Sequence, residues 1–196
     1  MMSMEDQANE KTSAYGVVTL IDGEPRAWIE GLWQDLLERF RLPHPYESPI
    51  AHFSYHVARG YDLERVKPLL AQFAQYKQGF KVRTEGLGVF TKKDPIIHIP
   101  LVRNPQLTTF QRSLWQVIDS WSENPLAYYH PDSWMPHITL VHGNLPFDKL
   151  PEIVGFLASK QFNWELEVSN ISIICSSRTR IDPELSFSLS SEALTA

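Results

Sequence analysis

Residues 134–141 read WMPHITLV, and this segment decides the fold. Pro136 precedes a run of β-compatible residues, so the pattern predicts a β-strand. Residues two apart on a strand point to the same side, so His137 and Thr139 share a face. The segment therefore presents an imidazole and a hydroxyl group side by side.

A second segment repeats this arrangement earlier in the chain. Residues 50–58 read IAHFSYHVA and place His52 and Ser54 two apart on another predicted strand. A helix and then a strand led by Phe80 follow the first motif, as a helix and a strand led by Phe162 follow the second. The two histidines are 85 residues apart and the two phenylalanines 82, so the offsets predict an internal duplication.

The other elements alternate between strands and single helices. Apolar runs bounded by turn residues predict strands, and apolar residues at three- and four-residue spacing predict helices. The predicted strands cover residues 15–21, 80–90, 96–102, 162–175 and 185–189, with a hairpin turn at 91–95. The predicted helices begin near Pro25, Leu63, Asn104 and Leu150. The second of these contains Pro68, so it either kinks or starts late.

Two copies of this order predict an α+β fold with a bilobal, pseudo-twofold arrangement. We expect antiparallel sheets that line a central cleft, with the helices on the outer faces. Residues 15–196 should form one domain, with the copies at about 50–102 and 135–190, after a disordered tail at 1–14. A chain of 196 residues with 43% hydrophobic content can bury one well-packed core.

Composition restricts the partners. The net charge is −5 and no run of Lys or Arg interrupts it, so no basic stripe is available to bind a long nucleic-acid duplex. No segment approaches the ~18 apolar residues of a membrane span, and the first residues are polar and acidic, unlike a secretory signal. We therefore expect a cytoplasmic protein that does not bind membranes, and any nucleic-acid substrate should be small. We also expect a monomer.

The paired side chains suit chemistry at phosphorus. If the duplication brings the two strands together, two imidazoles and two hydroxyl groups converge. In an in-line displacement, one histidine takes a proton from the attacking oxygen and the other protonates the leaving oxygen. The hydroxyl groups donate hydrogen bonds to the non-bridging oxygens, where charge accumulates. The pattern therefore indicates a phosphodiesterase.

The two motifs, HFSY at residues 52–55 and HITL at residues 137–140, resemble the paired H-x-[ST]-x motifs of the two-histidine (2H) phosphoesterase superfamily. That superfamily includes 2′-5′ RNA ligase-like proteins and cyclic phosphodiesterases. Residues 134–140 are also similar to its W-x-P-H-[IV]-T-L context, and the similarity in element order runs from about residue 15 to 189. The resemblance implies a bilobal fold with no cofactor and no metal ion.

The resemblance also implies roles for the motif residues. His52 and His137 would be catalytic, and Ser54 and Thr139 would bind the phosphate. The expected substrates are cyclic phosphates or 2′-5′ phosphodiester bonds of nucleotides or RNA ends, which the protein would hydrolyse or reversibly ligate. His142 stands where bacterial RNA-ligase-like members often have Arg, five residues after the second motif histidine, and is a candidate substrate-binding residue.

Two alternatives remain open. One is a non-catalytic module that binds a nucleotide or an RNA end on the same fold. The other is a metal site of His52, His56, His137 and His142, which is weaker because the first two lie about 13 Å apart along a strand. We expect His56 on the same strand face as His52, and we expect His56 and His98 to be structural. Tyr129, in the loop before the second motif, is a candidate for stacking on a nucleobase.

Overall fold

The computed structural model describes residues 14–44, 50–91, 93–142, 145, 147–175 and 185–191. Within these residues it contains four α-helices and antiparallel sheets, which confirms the expected α+β class. The predicted tail at 1–14 lies outside the described residues except for Ala14. In the described part of the chain, no helix is both long enough and apolar enough to span a membrane.

The helices and strands follow one another in an order that repeats. The helices are α1 (Gly23–Phe40), α2 (Leu63–Tyr76), α3 (Pro105–Ile118) and α4 (Leu150–Ala158). The strands are β1 (Tyr15–Leu20), β2 (His52–Ala58), β3 (Gly60–Tyr61), β4 (Phe80–Arg83), β5 (Gly88–Phe90), β6 (Ile96–Pro100), β7 (Ser122–Glu123), β8 (His137–Val141), β9 (Glu165–Val168), β10 (Asn170–Cys175) and β11 (Ser186–Ser188). Both His-motif segments are strands, as predicted.

The sheet order exchanges strands between the two halves of the chain. One sheet has the order β11-β10-β1-β2 and another has the order β5-β6-β8, while β4 pairs with β9 and β3 with β7. Apart from the short strands β3 and β7 and the final β11, each half runs strand, helix, motif strand, helix and two further strands. The last of these strands joins the sheet of the other half, because β5 pairs with β6 and β10 with β1. This order agrees with a duplication, while the pseudo-twofold axis itself stays a prediction.

Buried side chains fix the motif strands in the core. Phe53 and Tyr55 of β2 are buried, as are Ile138 and Leu140 of β8, and the two strands lie against each other. The Tyr55 ring packs against Phe53, and against an aromatic side chain of α3. Both motif strands are therefore held by large apolar side chains on the face away from the motif histidines.

The predicted strand at residues 80–90 is wrong in one respect, because it is two strands. Gly86 has a φ of 72°, in the left-handed region that glycine adopts without strain, and the chain changes direction there. As a result β4 pairs with β9, whereas β5 forms the predicted hairpin with β6. The predicted strand at 162–175 likewise divides into β9 and β10.

The late start considered for the second helix is also wrong. The helix begins at Leu63, and the Asp62 side chain caps it by accepting a hydrogen bond from the backbone N–H of Arg65. Pro68 lies inside this helix. The third helix starts as predicted, since the Asn104 side chain accepts a hydrogen bond from the backbone N–H of Leu107.

Candidate active site

Both motif strands carry a β-bulge at the same place in the motif. The extra residue is Tyr55 in β2 and Leu140 in β8, directly after Ser54 and Thr139. A bulge bends its strand and re-aims the side chains around it, and bulges are common next to active sites. Both His-x-Ser/Thr pairs are therefore followed by a register shift at the same position.

The bulge corrects the expected orientation of His56. Along β1, Val18 pairs with Ser54, and Val17 pairs with His56. Neighbouring residues of β1 point to opposite faces, so Ser54 and His56 do as well. His56 therefore lies on the face opposite His52, and a metal site that uses both of these histidines is wrong on geometric grounds.

The two motif histidines are oriented in the same way. Nδ1 of His52 lies 2.7 Å from the carbonyl oxygen of Ile50, and Nδ1 of His137 lies 2.7 Å from that of Met135. A carbonyl oxygen only accepts hydrogen bonds, so each Nδ1 carries the proton and donates it. In both neutral rings Nε2 is then the nitrogen with the lone pair, which is the state that a general base requires.

Burial holds the pKa of both rings below the ordinary histidine value of 6.5. His52 is 8% exposed, and desolvation lowers its pKa to about 4, against the raising effect of the Ile50 hydrogen bond. A charge on His137 lowers the pKa of His52 further, so the two rings are close enough to interact. Desolvation also lowers the pKa of the half-buried His137, against its hydrogen bond to Met135. Both imidazoles are therefore neutral near pH 7.

Two tryptophans brace the motif strands against each other. The buried indole N–H of Trp134, just before β8, donates to the carbonyl oxygen of Ser54 on β2 at 2.9 Å. The indole N–H of Trp33, in α1, donates to the carbonyl oxygen of Thr139 on β8 at 3.3 Å. Arg103 donates in turn to the carbonyl oxygen of Trp134 at 3.0 Å. Each hydroxyl residue is thus fixed through its backbone by a side chain from the other half of the chain.

A third histidine, His98, lies beside His137, and its predicted structural role stays a prediction. His98 pairs with Thr139 across β6 and β8, so it faces the same side as His137. The ring centroids of His98 and His137 are 5.1 Å apart. The Phe90 ring stacks on His98 at 4.0 Å and meets His137 edge-on at 4.9 Å. Sequence reasoning missed this contact because it depends on the pairing of β6 with β8.

The chain is similar to one known protein superfamily. Residues 22–180 match the profile of the 2′-5′ RNA ligase superfamily, and this is most of the chain. The chain belongs to that superfamily. The match confirms the resemblance carried by the two motifs. No curated protein sequence matches the chain significantly.

One solved structure supports the fold of this superfamily member. A crystal structure of a phosphoesterase is similar, with a TM-score of 0.55 and 18% identity over 91% of this chain and 99% of that chain. At this identity the similarity shows the fold alone. Two structures of Usb1 from Kluyveromyces marxianus, one of them with uridine monophosphate, have a TM-score of 0.47 and 8% identity over 86% of this chain and 96% of theirs.

The other two candidate residues, Tyr129 and His142, lie in different parts of the structure. Tyr129 interacts with Tyr61, whose hydroxyl group forms a hydrogen bond with His56. The neighbours of Tyr129 therefore lie on the face of β2 opposite His52. His142 is exposed and directly follows β8. Because of the bulge, an extended chain returns to the face of Thr139 at His142. The roles of both residues in substrate binding stay predictions.

The described residues contain no group of three or more His, Cys, Asp or Glu side chains placed to hold a metal ion. Among the described residues, Asp119 contacts a buried histidine, because its carboxylate lies 3.3 Å from Nε2 of His56 on the other face of β2. Within the described residues, the structure brings imidazoles, hydroxyl residues and aromatic rings together around His52 and His137. Such groups can transfer protons and donate hydrogen bonds to an anion.

Proposed function

We propose that this superfamily member is a metal-independent phosphodiesterase, which cleaves or reversibly forms cyclic phosphate or 2′-5′ phosphodiester bonds of nucleotides or RNA ends. The observation that carries the proposal is the matched orientation of His52 and His137. Each donates through Nδ1 to a backbone carbonyl two residues earlier, so both Nε2 atoms can exchange protons. A pure binding protein needs no such pair of titratable rings.

The reaction on a 2′,3′-cyclic phosphate follows from these groups. Nε2 of one histidine takes a proton from water as the water oxygen bonds to phosphorus. The bond from phosphorus to one ribose oxygen breaks, and the second histidine donates its proton to that oxygen. The hydroxyl groups of Ser54 and Thr139 donate hydrogen bonds to the non-bridging oxygens, where negative charge accumulates. The product is a nucleoside monophosphate with a free ribose hydroxyl group.

The substrate itself supplies the charge state that the acid requires. Both rings are neutral in the free protein near pH 7, because desolvation lowers the pKa of His52 to about 4 and also lowers that of His137. An anionic phosphate beside an imidazole favours the charged ring, so binding raises its pKa. Since a proton is harder to place on the more buried His52, its pKa favours His52 as the base and His137 as the acid.

These two roles are tested by changing the leaving group. A nucleoside 5′-(p-nitrophenyl) phosphate releases p-nitrophenolate, which needs no proton from an acid. We expect His137→Ala to lose about 10²-fold in kcat on a cyclic nucleotide but far less on the activated diester. His52→Ala should lose activity on both substrates. The opposite pattern would exchange the two roles, and equal losses for both variants would contradict the division into acid and base.

The function itself is tested with 2′,3′-cyclic nucleotides, 2′-5′ dinucleotides and cyclic-ended oligoribonucleotides as substrates. Turnover of any of them identifies the substrate class. Binding of these ligands without turnover, measured by calorimetry on the same protein, would contradict the proposal and favour the non-catalytic binding module.

A further inference from the structure

The side chain of His98 forms a cluster of three rings with Phe90 and His137. His98 is 3% exposed and is covered by the Phe90 ring, which stacks on it with an interplanar angle of 19°. His137 lies against both rings, at 64° to His98 and at 83° to Phe90. The hydrogen bond from its Nδ1 holds His137 at one end only, and the ring could still tilt about that bond. The two edge contacts restrict this tilt.

The backbone is shaped to admit the His98 ring. Gly88 is the cross-strand partner of His98 in the β5–β6 hairpin. A Cβ atom at Gly88 would lie 2.3 Å from Nε2 and 2.7 Å from Cε1 of His98, closer than any real contact. Gly88 does not have the left-handed φ of Gly86, so alanine could adopt its backbone conformation and the only obstacle is the ring. Glycine at this position is therefore explained by the imidazole opposite it.

Stability alone does not explain a histidine here. Nδ1 of His98 is buried, and within the described part of the chain it has no hydrogen-bond partner. The carbonyl of Ile96 is near enough to favour the charged ring, but it lies outside hydrogen-bond geometry. A buried polar atom without a partner destabilises a fold, and an aliphatic side chain would avoid that cost. A six-membered ring would extend further towards Gly88, so the five-membered imidazole is the aromatic ring that fits.

We propose that His98 is a positioning residue for His137, and that Gly88 leaves the space in the β5–β6 hairpin that the His98 ring occupies. The flat ring of His98 supports the edge of the His137 imidazole and fixes the direction in which its Nε2 points. The catalytic consequence rests on the proposed function, because it requires His137 to transfer a proton. Positioned proton transfer is sensitive to displacements of about 1 Å, so loss of this support should be visible in kcat.

The first experiment compares His98→Ala with His56→Ala. Both histidines are buried in neighbouring sheets, but His56 lies on the face of β2 away from the motif pair, so its removal is a matched control for lost packing. Assays are run below the lowest Tm of the set. We expect both variants to have a lower Tm, and only His98→Ala to lose about 10-fold in kcat with KM changed less than twofold. Equal kcat values for the two variants would overturn the proposal.

The second experiment is a double-mutant cycle that tests whether Gly88 makes room for the His98 ring. In the presence of His98, Gly88→Ala forces the ring to move, and overpacking of this kind should lower Tm by about 3–10 °C. In the His98→Ala background the obstacle is gone, so the same substitution should change Tm by less than about 2 °C. Equal changes in Tm in both backgrounds would show that Gly88 does not make room for the His98 ring.

A measurement without substrate separates the two proposals. The ¹⁵N chemical shifts of His137 report which ring nitrogen carries the proton. We expect the Nδ1–H form in the wild type and in His56→Ala, and a mixture of tautomers in His98→Ala. If no diester is turned over but the tautomer changes as expected, the proposed function fails and the positioning role stands. If the wild type is active and His98→Ala leaves both tautomer and kcat unchanged, the positioning role fails alone.

Discussion

Acidification should destabilise the fold through its buried histidines. Desolvation lowers the pKa of His52 and of His98 to about 4 in the folded protein, against 6.5 in an unfolded chain. Below pH 6.5 the unfolded chain therefore binds protons that the folded protein does not. The stability that these residues contribute is present above pH 6.5 and is lost as the pH falls towards 4.

The magnitude follows from the size of the change in pKa. Each pKa unit corresponds to about 1.4 kcal/mol, so between pH 7.5 and 5.0 each of the two histidines should remove about 2 kcal/mol from the free energy of unfolding. Their sum is a large part of the ~5–15 kcal/mol that stabilises a typical domain. The lowered pKa values of His56 and His137 act in the same direction.

Urea unfolding at the two pH values, followed by tryptophan fluorescence, measures this loss. The variant His52→Gln removes one titrating ring, and it should reduce the difference between the free energies of unfolding at pH 7.5 and 5.0 by about 2 kcal/mol. A difference that changes by less than about 0.5 kcal/mol would show that His52 titrates alike in the folded and unfolded states. Burial would then not lower the pKa of His52.

Three further predictions concern the site. The plot of kcat/KM against pH, measured on a cyclic nucleotide, should be bell-shaped with both limbs below pH 6.5, because the pKa values of His52 and His137 in the free protein are lowered. A steady rise of kcat/KM to pH 9 would contradict the acid–base pair. Ser54→Ala and Thr139→Val should each lower kcat by about 10-fold, the effect of one hydrogen bond to the phosphate, and an unchanged kcat would remove these residues from phosphate binding. Trp134→Phe leaves the Ser54 carbonyl oxygen without its indole donor and should cost about 2 kcal/mol in urea unfolding, so an unchanged stability would argue against the bracing role.

Local sequence signals located the motif strands and the start of the third helix. The period of two around His52 and around His137 is a property of a few adjacent residues, and the strands β2 and β8 begin at these histidines. Asn104 followed by Pro105 is an equally local signal, since the cap and the first helical residue are neighbours in the chain. Such features are predictable because they need no knowledge of distant partners.

Strand register could not be predicted in the same way. The bulge at Tyr55 arises from the pairing of β2 with β1, and it reverses the face on which His56 lies. The apolar residues on both sides of Gly86 suggest one continuous strand, although their partners belong to two different sheets. Tertiary pairing, which is not encoded in local alternation, decided both outcomes.

The contact of His98 with Gly88 could be predicted from the sequence, and the contact with His137 could not. With the predicted turn at residues 91–95, counting back along the hairpin places Gly88 opposite His98, and a glycine facing a histidine indicates a close approach. The second contact could not be predicted, because only the pairing of β6 with β8 brings His98 to His137. A lone histidine in the apolar run IIHIP therefore gave no reason to expect a third ring in the site.

The most direct test of the paired-histidine account is the turnover of a 2′,3′-cyclic nucleotide by exhaustively chelated protein. We expect the wild type to keep its full rate in EDTA, and His52→Ala and His137→Ala to lose about 10²-fold or more in kcat while remaining folded. Proton transfer and hydroxyl donors would then supply what a metal ion provides elsewhere. Loss of wild-type activity in EDTA with recovery on adding zinc or manganese, or near-full activity in either variant, would contradict the account.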